Sequence, residues 1–284
     1  MKTIIMNGCS FVAGDELVWQ QYHTEYNKPV TNWWTMTNDP EYELFRELYR
    51  EKYRRQYNLP ILIAQKLECN RLDLSADGNS NDGIVMDTIA FILTIPPEKR
   101  CNYHVVIGWT TLCRYLRYSK IKDNFFNLNV GHLNGKHSND VIDELEGFIK
   151  GAMVNGYNQD FFFNFVQNIM LLENFLKVNN MTYTFYKSLG TPEDMKYCVL
   201  GEFSEHRTIP KELVTDHSCW LKFSDSEDSL DHTYLPYMGH SWNSAILKQN
   251  SNMFISKENC HPNLETVTNI SQLIADFIKQ QNVL

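Results

Sequence analysis

Short stretches rich in Ile, Val, Leu and aromatic residues punctuate this chain, separated by longer stretches with helical apolar spacing. Residues 2–7, 71–75, 103–108 and 182–187 are the short ones, and they read as strands buried in a parallel sheet. Helices are expected at 59–68, 83–94, 139–153, 159–179 and 264–279, where apolar side chains recur on one face. Strand alternating with helix predicts the α/β class, as a three-layer α/β/α sandwich with a central parallel sheet and right-handed crossovers. No linker separates two cores, so residues 1–284 read as a single domain.

Two segments interrupt the alternation. Residues 18–58 are rich in charge and aromatics, including Trp19, Trp33, Trp34, Tyr42 and Tyr53, and read as an inserted helical cap. Those rings suit stacking on a sugar or base, and packing of the insertion against the body explains them equally well. Residues 202–250 carry His206, His217, His232 and His240 among many polar residues and read as long loops. In 159–179, Phe161, Phe162, Phe163, Phe165, Ile169, Leu172 and Phe175 read as core rather than as a ligand box.

The candidate chemistry lies at the two ends of the chain. Ile4 and Met6 bury on one face of the first strand, and Gly8 then permits a tight turn that delivers Ser10 to the carboxyl edge of the sheet. A serine hydroxyl needs an adjacent base, and His261 is the candidate, with Glu258 three residues before it to orient the imidazole. Gly-x-Ser is also an ordinary turn sequence, so this pattern alone does not specify a nucleophile.

Further blocks fall in order along the chain. Asn7-Gly8-Cys9-Ser10-Phe11 is followed by Gly14-Asp15-Glu16-Leu17, then by Asp77-Gly78-Asn79-Ser80-Asn81-Asp82, by Ile107-Gly108-Trp109-Thr110-Thr111 and by Glu258-x-x-His261-Pro262. This order resembles the SGNH/GDSL hydrolases, especially their divergent branch in tailed phages, with Cys9 where the Asp of Gly-Asp-Ser usually stands. The resemblance implies the flavodoxin-like SGNH hydrolase fold, with Ser10 as nucleophile and His261 as general base, then acid. It implies an oxyanion hole made of the Ser10 and Gly78 backbone N–H groups and the side chain of Thr110, and it puts Asn79 and Trp109 beside the substrate. Thr110 stands where the family has asparagine, and Glu258 where it has aspartate. Loss of one oxyanion donor costs about 2.7–4 kcal/mol in the transition state, so the threonine hydroxyl matters.

These roles describe a serine esterase or deacylase acting on an acyl ester of a carbohydrate or other small polar substrate. An alcohol acceptor in place of water would make it an acyltransferase through the same acyl-enzyme. A different class of reading keeps the fold as a catalytically weak or inactive binding protein of a phage.

Composition narrows the partners. The formal net charge is −8, which argues against broad affinity for nucleic acid. The cluster Arg46, Arg50, Lys52, Arg54 and Arg55 is interleaved with Glu41, Glu43, Glu47 and Glu51 and reads as a solvated helix face. Seven cysteines without paired spacing suit reduced thiols in a cytoplasm, that of an infected bacterium if the phage resemblance holds. Cys9 reads as a small buried hydrophobe. Neither CxxC nor zinc-like Cys/His spacing occurs, no cofactor is implied, and no apolar run suits a membrane span or a secretory signal. Gly239-His240-Ser241-Trp242-Asn243 lacks the second glycine of a nucleophile elbow, and Gly78–Gly83 lacks the Gly-Lys-Ser/Thr ending of a phosphate loop. A homo-oligomer is compatible with all of this.

Overall fold

The side chains of the first strand alternate between two cores, and that alternation organises the molecule. The computed structural model describes residues 2–14, 17–26, 40–111, 114–120, 123–129, 158–188, 217–221, 223 and 262–283. Its strands are β1 (Thr3–Gly8), β2 (Asn70–Asp73), β3 (Tyr103–Trp109), β4 (Arg114–Ser119), β5 (Asn124–Asn129), β6 (Thr182–Lys187) and β7 (Trp220–Leu221). Its helices are α1 (Ser10–Ala13), α2 (Leu17–Tyr26), α3 (Pro40–Tyr57), α4 (Leu59–Leu67), α5 (Asn81–Leu93), α6 (Asn158–Val178) and α7 (Leu264–Gln280).

Five strands form a parallel sheet in the order β2-β1-β3-β6-β7. Counted along the chain this is 2-1-3-4-5, so the direction of strand addition reverses between β1 and β3. Open α/β sheets bind ligands outside the carboxyl ends of the strands at such a reversal. Ile5, Val105, Ile107 and Phe185 face a core closed by Ile84 and Ile92 of α5 and by Phe165, Ile169, Leu172 and Leu176 of α6. Ile4, Met6, Val106 and Tyr186 face the opposite core, closed by Val12 of α1, Leu59 and Ile63 of α4, and Val267, Ile270, Ile274 and Ile278 of α7. Helices therefore cover both faces of the sheet.

Local chemistry sets the helix starts. Asn58, Ser80 and Asn263 have extended backbones, and their side-chain oxygens accept from Ile61 N, Gly83 N and Thr266 N. Each satisfies one of the amides that a helix N-terminus leaves unpaired. In α7, buried residues at 267, 270, 271, 274, 275 and 278 trace one helical stripe.

The expected strands and helices appear within a few residues of their predicted limits, except 139–153, which lies outside the described residues. The hairpin β4–β5 was not among the expected elements; it forms a separate antiparallel pair with Arg114 opposite Asn129. Within 202–250, where loops were expected, Trp220 and Leu221 pair with Phe185 and Tyr186 and add the sheet's edge strand. The insertion 18–58 contains α2 and α3, which bury Val18, Trp19, Tyr22, Tyr42, Phe45 and Tyr53 in a core of their own. Trp19, Tyr42 and Tyr53 are therefore packing residues, Trp33 and Trp34 lie outside the described residues, and Tyr53 Oη donates to Glu25 Oε1 at 2.8 Å to tie the two helices. Among the described residues, no helix is long and apolar enough to cross a membrane.

Candidate functional site

Three backbone positions form a row across the carboxyl edge of the sheet. Gly8 and Gly108 are register partners on β1 and β3, and Ala76 N donates to Gly8 O at 3.1 Å. Two residues beyond each member of that row stand Ser10, Thr110 and Gly78. The row thus gathers three of the sequence-predicted site residues at the strand reversal between β1 and β3.

The glycine pair makes the turn after β1 possible. Cys9 O accepts from Val12 N at 2.8 Å and Ala13 N at 3.0 Å, so the chain folds back into α1 immediately after the strand. Val12 then lies over the glycines: a Cβ on Gly8 would stand 2.4 Å from Val12 Cγ2, and one on Gly108 would stand 2.7 Å from both Val12 Cγ2 and Tyr186 Oη. Any side chain at either position would push α1, and Ser10 with it, off the sheet. Gly78 has a different requirement. Its φ of +69° is strained for other residues, and a Cβ there would meet nothing within 4 Å.

The run after Gly78 is a hub in which the side chains of Asn79, Asn81 and Asp82 each hold another part of the fold. Asn79 Oδ1 accepts from Asn127 Nδ2 at 3.3 Å, and its Nδ2 donates to Asp87 Oδ2 at 3.4 Å. Asn127 Oδ1 accepts from Ser80 N at 3.0 Å, which fastens β5 to the start of α5. Asn81 Oδ1 accepts from Thr110 N at 3.0 Å, while its Nδ2 donates to Thr111 O at 3.1 Å and Thr110 O at 3.4 Å. Asp82 accepts from Asn164 Nδ2 at 2.9 Å, Asn168 Nδ2 at 2.8 Å and Leu116 N at 3.2 Å, joining α6 and β4 to the same turn.

Thr110 is fully buried, yet among the described residues its Oγ1 has no hydrogen-bond partner. Buried hydroxyls are normally paired because leaving one unsatisfied costs about 1–3 kcal/mol. Tyr186 Oη is also buried without a partner among the described residues, and its desolvation, aided by Cys9 and Asp73, pushes the phenol well above its ordinary pKa. Cys9 is buried, with Sγ 3.8 Å from Ser188 Oγ, and Ser188 Oγ donates to Trp109 O at 2.8 Å.

The remaining predicted residues are distributed unevenly. Trp109 is fully buried, its ring edge-on to Phe165 at 5.8 Å and Phe185 at 5.4 Å, so it packs in the core with α6. Asn79 is buried, with its amide engaged by Asn127 and Asp87. His261 and Glu258 lie outside the described residues. Next in sequence to His261, Pro262 is buried, and Leu264 N donates to Gln20 Oε1 of α2 at 3.0 Å. Val267 of α7 belongs to the same core as Cys9, Val12 and Leu17.

Asn81 and Asp82 lie in the block after Gly78 but were given no role by the sequence, and Asn127 was not singled out at all. Ser80 and Asn81 carry the signal of a helix start, but nothing local marks Asn127 as the partner of Asn79 and Ser80. Elsewhere, a cavity of about 620 Å³ opens at the opposite edge of the sheet, between Met181–Tyr183 and the end of α7. On α3, Arg46 lies 3.4 Å from Glu43, and Lys52 sits over the Tyr49 and Tyr53 rings. Among the described residues no group of His, Cys, Asp and Glu could hold a metal ion. Comparison of the chain with models of protein families, with curated proteins and with solved structures finds no match.

Proposed function

We propose that this protein is a serine hydrolase of the SGNH/GDSL type that cleaves an acyl ester of a carbohydrate or other small polar molecule. Ser10 Oγ attacks the ester carbonyl carbon as His261 takes the hydroxyl proton, and Glu258 orients the imidazole. The carbonyl oxygen becomes an oxyanion held by the Ser10 and Gly78 N–H groups and the Thr110 hydroxyl. Collapse breaks the bond to the alkoxide, which leaves with the proton from His261. Water then attacks the acyl-enzyme, giving its proton to His261, and the acid departs as Ser10 regains its hydrogen. An alcohol in place of water would make the second step an acyl transfer.

The observation that carries this reading is the row Ala76–Gly8–Gly108, with Gly78, Ser10 and Thr110 each two residues beyond it. The unengaged hydroxyl of buried Thr110 adds to it, because a side-chain oxyanion donor must not be consumed by another acceptor.

The test is intact-mass labelling with a fluorophosphonate, together with release of chromophore from a short-chain p-nitrophenyl ester. Ser10-dependent labelling and turnover, both abolished in Ser10→Ala, are expected. A folded wild type that neither labels nor turns over would sink the hydrolase reading and favour a binding protein on the same fold.

A further inference from the structure

Asn81 sits in the first turn of α5, is 2% exposed, and directs both ends of its amide at the stretch that follows β3. Its Oδ1 takes the Thr110 N–H at 3.0 Å, and its Nδ2 reaches Thr111 O at 3.1 Å and Thr110 O at 3.4 Å. A planar group that accepts from and donates to one short stretch fixes the orientation of those peptide units as well as their place. It also occupies carbonyls in the immediate neighbourhood of the Thr110 hydroxyl. Threonine hydroxyls commonly turn to nearby backbone groups, and here Thr110 Oγ1 has bonded to none among the described residues although it is fully buried.

We infer that Asn81 is a positioning residue for the oxyanion hole: it clamps the Thr110 backbone so that the Thr110 hydroxyl stays aimed and available for the developing oxyanion. This rests on the hydrolase reading and adds to it a residue that acts through Thr110 without touching substrate. A clamp of this kind acts on the transition state rather than on substrate affinity, so its loss lowers kcat and leaves KM nearly unchanged. A purely structural role would instead reduce the amount of folded protein, or lower activity whether or not Thr110 keeps its hydroxyl.

The experiment is a double-mutant cycle of Asn81→Ala and Thr110→Val, read as kcat and KM on the p-nitrophenyl ester and as the rate of fluorophosphonate labelling. Thr110→Val is expected to lower kcat roughly 10²- to 10³-fold, as for loss of one oxyanion donor. Asn81→Ala is expected to lower kcat roughly 10- to 100-fold by misplacing that donor, with KM within about twofold. The double variant is expected to be no slower than Thr110→Val alone, because the clamp then has nothing left to aim. If Asn81→Ala does not fold, Asn81→Ser in the same cycle keeps a hydroxyl near the Thr110 N–H and is read in the same way. Multiplicative losses in the double variant, or an unchanged kcat in the Asn81 single variants, would overturn the inference while leaving the hydrolase reading intact. A wild type that neither labels at Ser10 nor turns over ester would overturn both.

Discussion

Replacing Thr110 with valine exchanges a hydroxyl for a methyl group of nearly the same size, and its effects on stability and on catalysis should run in opposite directions. Among the described residues the hydroxyl has no partner to lose, while the backbone bonds to Asn81 do not depend on the side chain. Removing an unsatisfied buried hydroxyl relieves a penalty of about 1–3 kcal/mol, and the added methyl contributes roughly 0.8 kcal/mol of burial if it fits without strain. Stability should therefore hold or rise by about 1–3 kcal/mol, read as an unchanged or higher urea midpoint at constant slope. Activity should move the other way, because loss of one oxyanion donor raises the barrier by about 2.7–4 kcal/mol. A variant destabilised by more than about 1 kcal/mol would mean that the hydroxyl has a structural partner or that the site cannot accept a methyl. A variant with full turnover would remove Thr110 from the oxyanion hole.

Two further perturbations test the frame that holds the site. His104 is buried on β3, with Nδ1 2.9 Å from Thr182 Oγ1 and Nε2 3.0 Å from Thr184 Oγ1. Desolvation, aided by the charge of Lys2, lowers its pKa to about 3. The unfolded chain therefore binds a proton that the folded one excludes, and stability present above the unfolded histidine pKa of about 6.5 is lost as pH falls toward 3. Between pH 7 and pH 5 wild type should lose about 2 kcal/mol more than His104→Gln in urea denaturation, and equal losses would refute this. In Gly8→Ala the new Cβ meets Val12 Cγ2 at 2.4 Å, and the resulting overpacking should cost about 1–3 kcal/mol and lower turnover by shifting α1. Val12→Ala in that background should recover part of the urea midpoint; no loss in Gly8→Ala, or no recovery, would contradict the packing argument.

Much of the architecture is legible in local pattern. The alternation of Ile4, Ile5 and Met6 announces a strand buried on both faces, and the limits of β6 coincide with the apolar run at 182–187. Asn263, ahead of a stripe at helical spacing, marks the start of α7. By contrast β7 has only two residues, too short for any periodicity, and becomes a strand only by pairing with β6. The hairpin β4–β5 mixes Arg, Tyr, Asn and Phe without a clean alternation, and its attachment through Asn127 and Leu116 depends on the start of α5.

Site chemistry divides in the same way. The glycines at 8, 78 and 108 and the polar run after Gly78 are visible as sequence, because turns and helix starts select residues by local backbone conformation. That Ala76, Gly8 and Gly108 stand in one row depends on strand register between segments roughly 70 and 100 residues from the first, which no local periodicity encodes. Trp109 shows the limit in one residue: its position at the end of β3 put it beside the site in sequence, and strand alternation turned its ring into the core against Phe165 and Phe185. The sequence by itself determined the longer helices, the strands β1, β2, β3 and β6, and the residue types able to make tight turns at their ends. Only the tertiary structure decided which of those ends meet, which hydroxyl is left without a partner, and which amide clamps it, because hydrogen bonding between distant segments follows from how the packed layers align.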